Sequence, residues 1–325
     1  MNAKRPGLFP LALIASAALL ALVGTALAQA DASKPAKPAS AASSHAKPAA
    51  DTSSPAKPAA AAPTPLLSIE QAQARVKASP RDPSAYMVLG SAYRRAGRFK
   101  EALEAFQKLA ALAPNASPTH VSLGAVYMDL KRNADALREF KLAIKLDPND
   151  GAAYYNLGNY YIQAGRRDDA TAAYKHATEL QPPIPDAWVS LGLIQAEIGK
   201  ADEAIASYKK ALAIDSTNVR ALCNMGNSQY GMGRISEATS LYRKALKIDP
   251  KNQEAIYNMG VAFADAQIYR EAINYWQQVV SIDSTAVIAQ SAKSSIQVLQ
   301  DFLNQQKAGT PQSTSTPPAP APGNH

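Results

Sequence analysis

The chain has 325 residues, 47% of them hydrophobic, 18% charged and 7% aromatic, with a formal charge of +8. Twelve of its 23 prolines fall in residues 31–65 and 308–325, 53 positions without one aromatic side chain, so what can fold lies between those stretches. One cysteine, Cys223, excludes an intramolecular disulfide, and the scattered His45, His120, His176 and His325 exclude a Cys/His zinc site.

In chain order, Lys4 and Arg5 precede an uncharged apolar run over 8–28 that ends in Ala26-Leu27-Ala28. A positive start, a greasy middle and small residues at the exit are the marks of a secretory signal peptide. About twenty apolar residues would also cross a bilayer, so 1–28 reads as a signal peptide or an N-terminal anchor. Pro10, Ser16, Gly24 and Thr25 weaken the span and favour cleavage. Either way the sequence predicts an exported chain, periplasmic or secreted, or one held at the inner membrane. Residues 29–65 are rich in Ala, Pro, Ser and Lys, too poor in buriable area to offset their chain entropy. They read as a disordered spacer with an upper reach of about 100 Å, and the Pro/Ser/Thr-rich tail 308–325 reads the same way.

The middle of the chain repeats itself. Gly90, Gly124, Gly158, Gly192, Gly226 and Gly260 are each 34 residues apart. Ala102, Ala136, Ala170, Ala204, Ala238 and Ala272 keep the same interval, and so does an aromatic series, Phe106, Phe140, Tyr174, Tyr208, Tyr242 and Trp276. Two further registers are apolar, one running from Leu89 to Met259 and one from Leu112 to Ile282. In the first unit Tyr86, Leu89, Gly90 and Tyr93, and then Ala102, Leu103, Phe106 and Leu109, fall at helical spacing on one face, and the later units repeat the pattern. Each unit is therefore two amphipathic helices. A glycine within a helix costs about 1 kcal/mol relative to alanine, so its recurrence points to a close approach in which glycine faces the partner helix's alanine and the aromatic ring covers the joint. Gly97, Gly165, Gly199 and Gly233 suit the turn between helices, and Pro114, Pro148, Pro182 and Pro250 end the second helix.

These residues resemble the tetratricopeptide repeat (TPR), a 34-residue helix-turn-helix unit. Six copies run over 83–116, 117–150, 151–184, 185–218, 219–252 and 253–286. Gln195 and Gln229 replace an expected tyrosine, His120 replaces an aromatic ring, and Ser216 and Ser284 replace the closing proline. The predicted fold class is all-α. A helix over 67–78 and another over 287–305, with a stripe of Ile288, Ala292, Ile296, Leu299 and Leu303, cap the array because each unit buries its apolar face only against its neighbours. The resemblance implies one domain over 66–307, a right-handed α-solenoid whose first helices line a concave wall.

By resemblance that wall binds extended peptides or protein segments. Its expected contact residues here are Tyr155, Asn156 and Asn159 in the third repeat, Asn224, Asn227 and Tyr230 in the fifth, and Tyr257 and Asn258 in the sixth. Asparagine amides can pair with both peptide backbone groups, and tyrosine offers flat area at low entropic cost. Asn and Tyr are also common at these slots in tetratricopeptide repeats without such a role. A carboxylate clamp of the kind some members carry is incomplete: Asn159, Arg220, Asn224 and Asn227 are present, but Tyr155, Val189 and Cys223 stand where lysines belong.

Residues 66–325 hold 28 basic and 24 acidic residues, so the net charge of the folding part is small. The pairs Lys175-His176, Lys209-Lys210 and Arg243-Lys244 recur at 34-residue spacing on second helices, while Asp169, Glu203 and Glu237 start those helices, as the helix dipole favours. That distribution reads as a solvated face, with a stripe for anionic polymers or acidic proteins as the alternative. Mixed charge and the lack of a base-stacking module argue against nucleic acid. Cys223 reads as a small, semi-buried residue near the groove. No nucleophile elbow, phosphate loop, metalloprotease or calcium-loop motif is present. The sequence therefore predicts no enzyme, no cofactor and no metal, but a protein-protein interaction scaffold or adaptor of the bacterial cell envelope with an unidentified protein or peptide partner. The alternative is a spacer or accessory subunit of an envelope assembly, secretion or polymer-synthesis complex, tethered to the inner membrane through 8–28.

Overall fold

The computed structural model describes residues 67–309, so the leader, the spacer and the tail expected from the sequence lie outside the described residues. Among the described residues there are fourteen helices and no strand. They fall into two compact units, 67–232 and 233–309. In the first, α1 (Ile69–Ala78) precedes the pairs α2 (Pro83–Arg95) and α3 (Phe99–Leu112), α4 (Ser117–Asp129) and α5 (Asn133–Leu146), α6 (Gly151–Gln163) and α7 (Arg167–Glu179), and α8 (Pro185–Glu197) and α9 (Ala201–Ile214), followed by α10 (Val219–Gly231). The second holds α11 (Ile235–Ile248), the pair α12 (Gln253–Asp265) and α13 (Tyr269–Ile282), and α14 (Val287–Gly309).

The starts of the first helices follow from sequence chemistry. Asp82, Asp150, Asn218 and Asn252, all in one register of the repeat, accept backbone N–H groups of the first turn at 2.9 to 3.0 Å, satisfying donors that no helical carbonyl can reach. Where that register holds Ala116 or Ile184, a proline occupies the first or second helical position instead. Between repeats, Asp147, Asp215, Asp249 and Asp283 each accept the N–H two residues on, turning the chain into the next unit.

In five of the repeats the aromatic ring of the second helix sits directly on the glycine of the first. A Cβ added at Gly192 would lie 2.6 Å from the Tyr208 ring, and the same added atom at Gly90, Gly124, Gly158 or Gly260 would come within 3.0 Å of Phe106, Phe140, Tyr174 or Trp276. Sequence reasoning expected glycine to face the partner alanine with the ring covering the joint. The ring itself occupies the space that a side chain would need. These rings are nearly inaccessible, Phe140 at 0% and Tyr208 at 1%, and burying one is worth about 2–3 kcal/mol. At Gly260 the larger ring also finds a polar partner, as Trp276 Nε1 donates to the Tyr257 carbonyl at 3.1 Å.

At the turns, Gly97, Gly165, Gly199 and Gly233 adopt φ between 71° and 79°. The equivalent positions of the second and sixth repeats are Lys131 and Gln267, held at 60° and 62°. Beside the first three turns a cation is shared between a ring and an acid. Arg98, Arg132 and Arg166 lie 4.5 to 4.8 Å from the centres of Tyr93, Tyr127 and Tyr161, and each bonds an acid three residues on, Glu101, Asp135 or Asp169.

The substituted slots are filled with alternatives. His120 bonds Glu139 through Nδ1 and the Pro114 carbonyl through Nε2, both at 2.7 Å, so the missing ring is replaced by two hydrogen bonds. Gln195 accepts from Ser207 Oγ at 2.6 Å. The end helices behave as polar-faced caps. Ser68 and Gln71 close a capping box at the start of α1, whose buried contact is Ala72. On α14, Ala292 and Leu299 of the expected stripe are buried, together with Ala289 and Ser295, which the stripe omitted, and the helix runs to Gly309 rather than 305.

Candidate functional site

Six of the eight expected contact residues lie on α6 and α10 in unit 67–232, and the other two lie on α12 in unit 233–309. First helices pack on one another within the first unit, α2 on α4, α4 on α6 and α8 on α10. That packing decides which side chains remain accessible. Asn156, Asn159, Asn227 and Tyr230 are half-buried, but Tyr155 (7%), Asn224 (6%), Tyr257 (1%) and Asn258 (3%) are buried. These four are corrected from wall contacts to interior residues. Cys223, expected to be semi-buried near the groove, is also buried, at 1%. The reason is geometric: neighbouring first helices of the first unit enclose the flank that carries Tyr155, Cys223 and Asn224, and α14 packs on α12 in the second.

The buried residues are engaged. Tyr155 packs against Tyr174, with ring centres 5.9 Å apart, and its hydroxyl lies near the Arg220 guanidinium. Tyr257 lies beside Trp276, and its hydroxyl is 3.4 Å from Ser295 Oγ of α14. Burial holds the Tyr257 phenol above its ordinary value, with the Ser295 contact acting in the other direction. Asn224 donates its amide to the Arg220 carbonyl at 2.9 Å, and Asn156 donates to Ala152 at 2.8 Å, each one turn back along its own helix. Asn159 Oδ1 accepts from the Tyr174 hydroxyl at 2.7 Å.

The residue that organises this wall is Arg220, which the sequence reading placed only in an incomplete clamp. From the first turn of α10 its guanidinium donates to Ser190 Oγ on α8 at 3.0 Å, reaches the Tyr155 hydroxyl on α6, and lies 3.8 Å from Asp186. One side chain therefore bonds the preceding first helix and comes near the one before it while remaining 30% exposed. Its Nε is buried without a hydrogen bond. A signal was present in the sequence, because Asp186 and Arg220 are opposite charges one repeat apart. Asp186 and Arg220 stay partly accessible while Ser190 is buried, and with the half-buried Asn156 and Asn159 of α6 the first helices can offer donors and acceptors to an extended backbone.

Lower on the same helices, Glu197 ends α8 with its side chain 9% exposed, 3.0 Å from Arg167 Nη2. The contact is an ion pair without hydrogen-bond geometry. Burial pushes the Glu197 carboxyl up, and Arg167 only partly opposes it. Among the described residues no group of His, Cys, Asp and Glu could hold a metal ion, and no helix is long and apolar enough to cross a membrane.

Residues 19–281 match the family described as the cilia and flagella-associated protein 70 C-terminal domain. No curated protein matches the chain by sequence. Among solved structures, the chain resembles one from the APC/C hetero-tetramer Cut9–Hcn1, with a TM-score of 0.60 and 17% identity over 74% of this chain; it spans 46% of that one. It also resembles Pseudomonas aeruginosa pilF, with a TM-score of 0.56 and 18% identity over 66% of this chain and 99% of the other. At these identities the likeness speaks to fold, and the fold is an all-α tetratricopeptide solenoid.

Proposed function

We propose that this chain, which belongs to the family of the cilia and flagella-associated protein 70 C-terminal domain, is a non-catalytic scaffold of the bacterial cell envelope that holds a protein or peptide segment along its first helices. The observation that carries this reading is the polar strip on α6, α8 and α10. Arg220 is fixed by the buried Ser190 and by Asp186, and Asn156 and Asn159 of α6 are half-buried. Preorganised donors and acceptors lose little entropy when an extended segment binds. Asn227 and Tyr230 extend the strip along α10. Export rests on the apolar run 8–28 and the following spacer, with the folded body working outside the cytoplasm.

The test is site-specific photo-crosslinking in cells. A crosslinker at Asn156 or Asn159 is expected to capture one partner that a crosslinker at the exposed Ala172 of α7 does not, and Arg220→Ala is expected to lower that yield severalfold. Equal capture at Ala172, or yields unmoved by Arg220→Ala, would remove the strip as the binding surface. The tethered-spacer reading is supported by the same apolar run, and a mature N-terminus at Gln29 would eliminate it.

A further inference from the structure

The basic pairs on second helices do not share one fate. His176 of α7 lies against Tyr154, with ring centres 4.1 Å apart, and Lys210 Nζ of α9 lies 4.1 Å from the centre of Trp188. One member of each pair is thus engaged with an aromatic ring. On α11 the situation differs. Arg243, Lys244 and Lys247, with Lys251 in the turn that follows, are all exposed. No ion pair, hydrogen bond or ring contact engages these four side chains among the described residues. The same slots of α13 and its following turn carry Gln277, Gln278, Ser281 and Thr285.

Neighbouring acids do not neutralise the group. Residues 233–252 hold five basic and two acidic residues. Asp249 is committed to its turn, accepting from the Lys251 backbone N–H at 3.2 Å and from Asn252 Nδ2 at 3.4 Å. Glu237 sits in the first turn of α11, about two turns before Lys244. Lys244 and Ile248 are four residues apart and so lie on one helix face, and Ile248 is 43% exposed between Lys247 and Lys251. Cations surrounding an accessible aliphatic side chain make the arrangement that settles at a lipid–water interface, with charges at headgroup level and the aliphatic chain at the acyl boundary.

We propose that the exposed face of α11, formed by Arg243, Lys244, Lys247, Ile248 and Lys251, docks on the anionic headgroups of a lipid bilayer. A single helix face has no pocket to select a peptide side chain, whereas a charged plane requires only accessible cations. The chain outside the described residues supplies the reason for being near a bilayer, since the apolar run 8–28 is either a leader that passes through one or a segment that stays in it. A polybasic face added to one apolar segment makes a two-signal attachment. This surface is independent of the strip around Arg220 and extends beyond the scaffold reading.

The experiment is vesicle flotation of the full chain and of the variant R243Q/K244Q/K247Q/K251Q, on vesicles of phosphatidylcholine alone and with 30% phosphatidylglycerol. Residues 8–28 are present in both proteins and set the baseline on neutral vesicles. Each cation near an anionic surface contributes about fivefold. The unsubstituted chain is therefore expected to partition about 600-fold more strongly than the variant onto phosphatidylglycerol vesicles at low salt, with the gap closing at 0.5 M salt and none on neutral vesicles. A fluorophore on Ser240→Cys, at the same exposed face, is expected to shift to the blue on anionic vesicles only while the four cations are present. Equal partition of the two proteins on anionic vesicles, an unshifted fluorophore, or a preference that appears with soluble polyphosphate and not with vesicles would overturn the proposal.

Discussion

The array uses glycine in two regions, the joint between paired helices and the turn that links them, and the two regions differ in what they tolerate. At the joint every repeat keeps glycine, from Gly90 to Gly260, and wherever the surroundings are described a ring fills the space of a Cβ. At the turn two repeats dispense with it, because Lys131 and Gln267 adopt the same left-handed conformation as Gly97, and nothing lies within 4 Å of a Cβ placed at Gly97. The joint is a steric wall in a close-packed interior, which has no graded response. The turn carries a conformational cost of about 1–2 kcal/mol for a residue with a side chain, and a well-packed repeat can absorb it.

The largest effect is expected at the joint. Gly192→Ala gains helix propensity but drives a methyl into Tyr208, and a net loss of about 2–3 kcal/mol is expected in urea unfolding. In a Tyr208→Ala background, itself a cavity mutation, the same change should cost little, and a double-mutant cycle without coupling would mean that the ring is not the obstacle. At the turn, Gly97→Ala should cost about 1 kcal/mol. The reciprocal change Lys131→Gly should stabilise by roughly 0.5 kcal/mol, because relief of the left-handed conformation exceeds the added entropy of the unfolded chain. Matching signs for these two substitutions would undo the distinction between wall and conformational cost.

Smaller still is Arg132→Gln, which removes the contacts to Tyr127 and Asp135. The Arg132 side chain is 50% exposed, so the loss should fall below either glycine effect and shrink in high salt. The turn after α8 adds a pH dependence. Burial raises the Glu197 carboxyl above its ordinary 4.5, so folding is favoured by its protonated form. Its contribution to stability is complete below the unfolded value and is lost as pH rises through the folded one. Glu197→Gln should flatten that decline when thermal midpoints are compared from pH 4 to pH 7, and an unchanged slope would show that the carboxylate is effectively solvated.

Much of the fold was legible because the repeat multiplies its own signal. Six glycines, six alanines and six rings in fixed registers leave little room for another arrangement, and even the caps followed from what a stack of thin units lacks at its ends. The accessibility of the expected contact residues was less legible. Asn156 and Tyr155 are neighbours in sequence, yet one stays half-accessible and the other is enclosed. The difference is set by how closely α4, α6 and their successors approach, a quantity to which no single repeat contributes alone. Arg220 was visible as a charge one repeat after Asp186, but its reach to Tyr155 spans 65 positions and depends on the placement of three helices.

The sequence by itself determined the period, the helix pairs, their caps and the places where only glycine fits, since these follow from short-range sterics and hydrogen bonding within 34 residues. Only the tertiary structure decided which polar side chains face outward, that Tyr257 and Asn258 are interior, and that Arg243, Lys244 and Lys247 of α11 stand unpaired while His176 of α7 and Lys210 of α9 meet aromatic rings. Accessibility and pairing are properties of the space between repeats, and helices distant in sequence define that space.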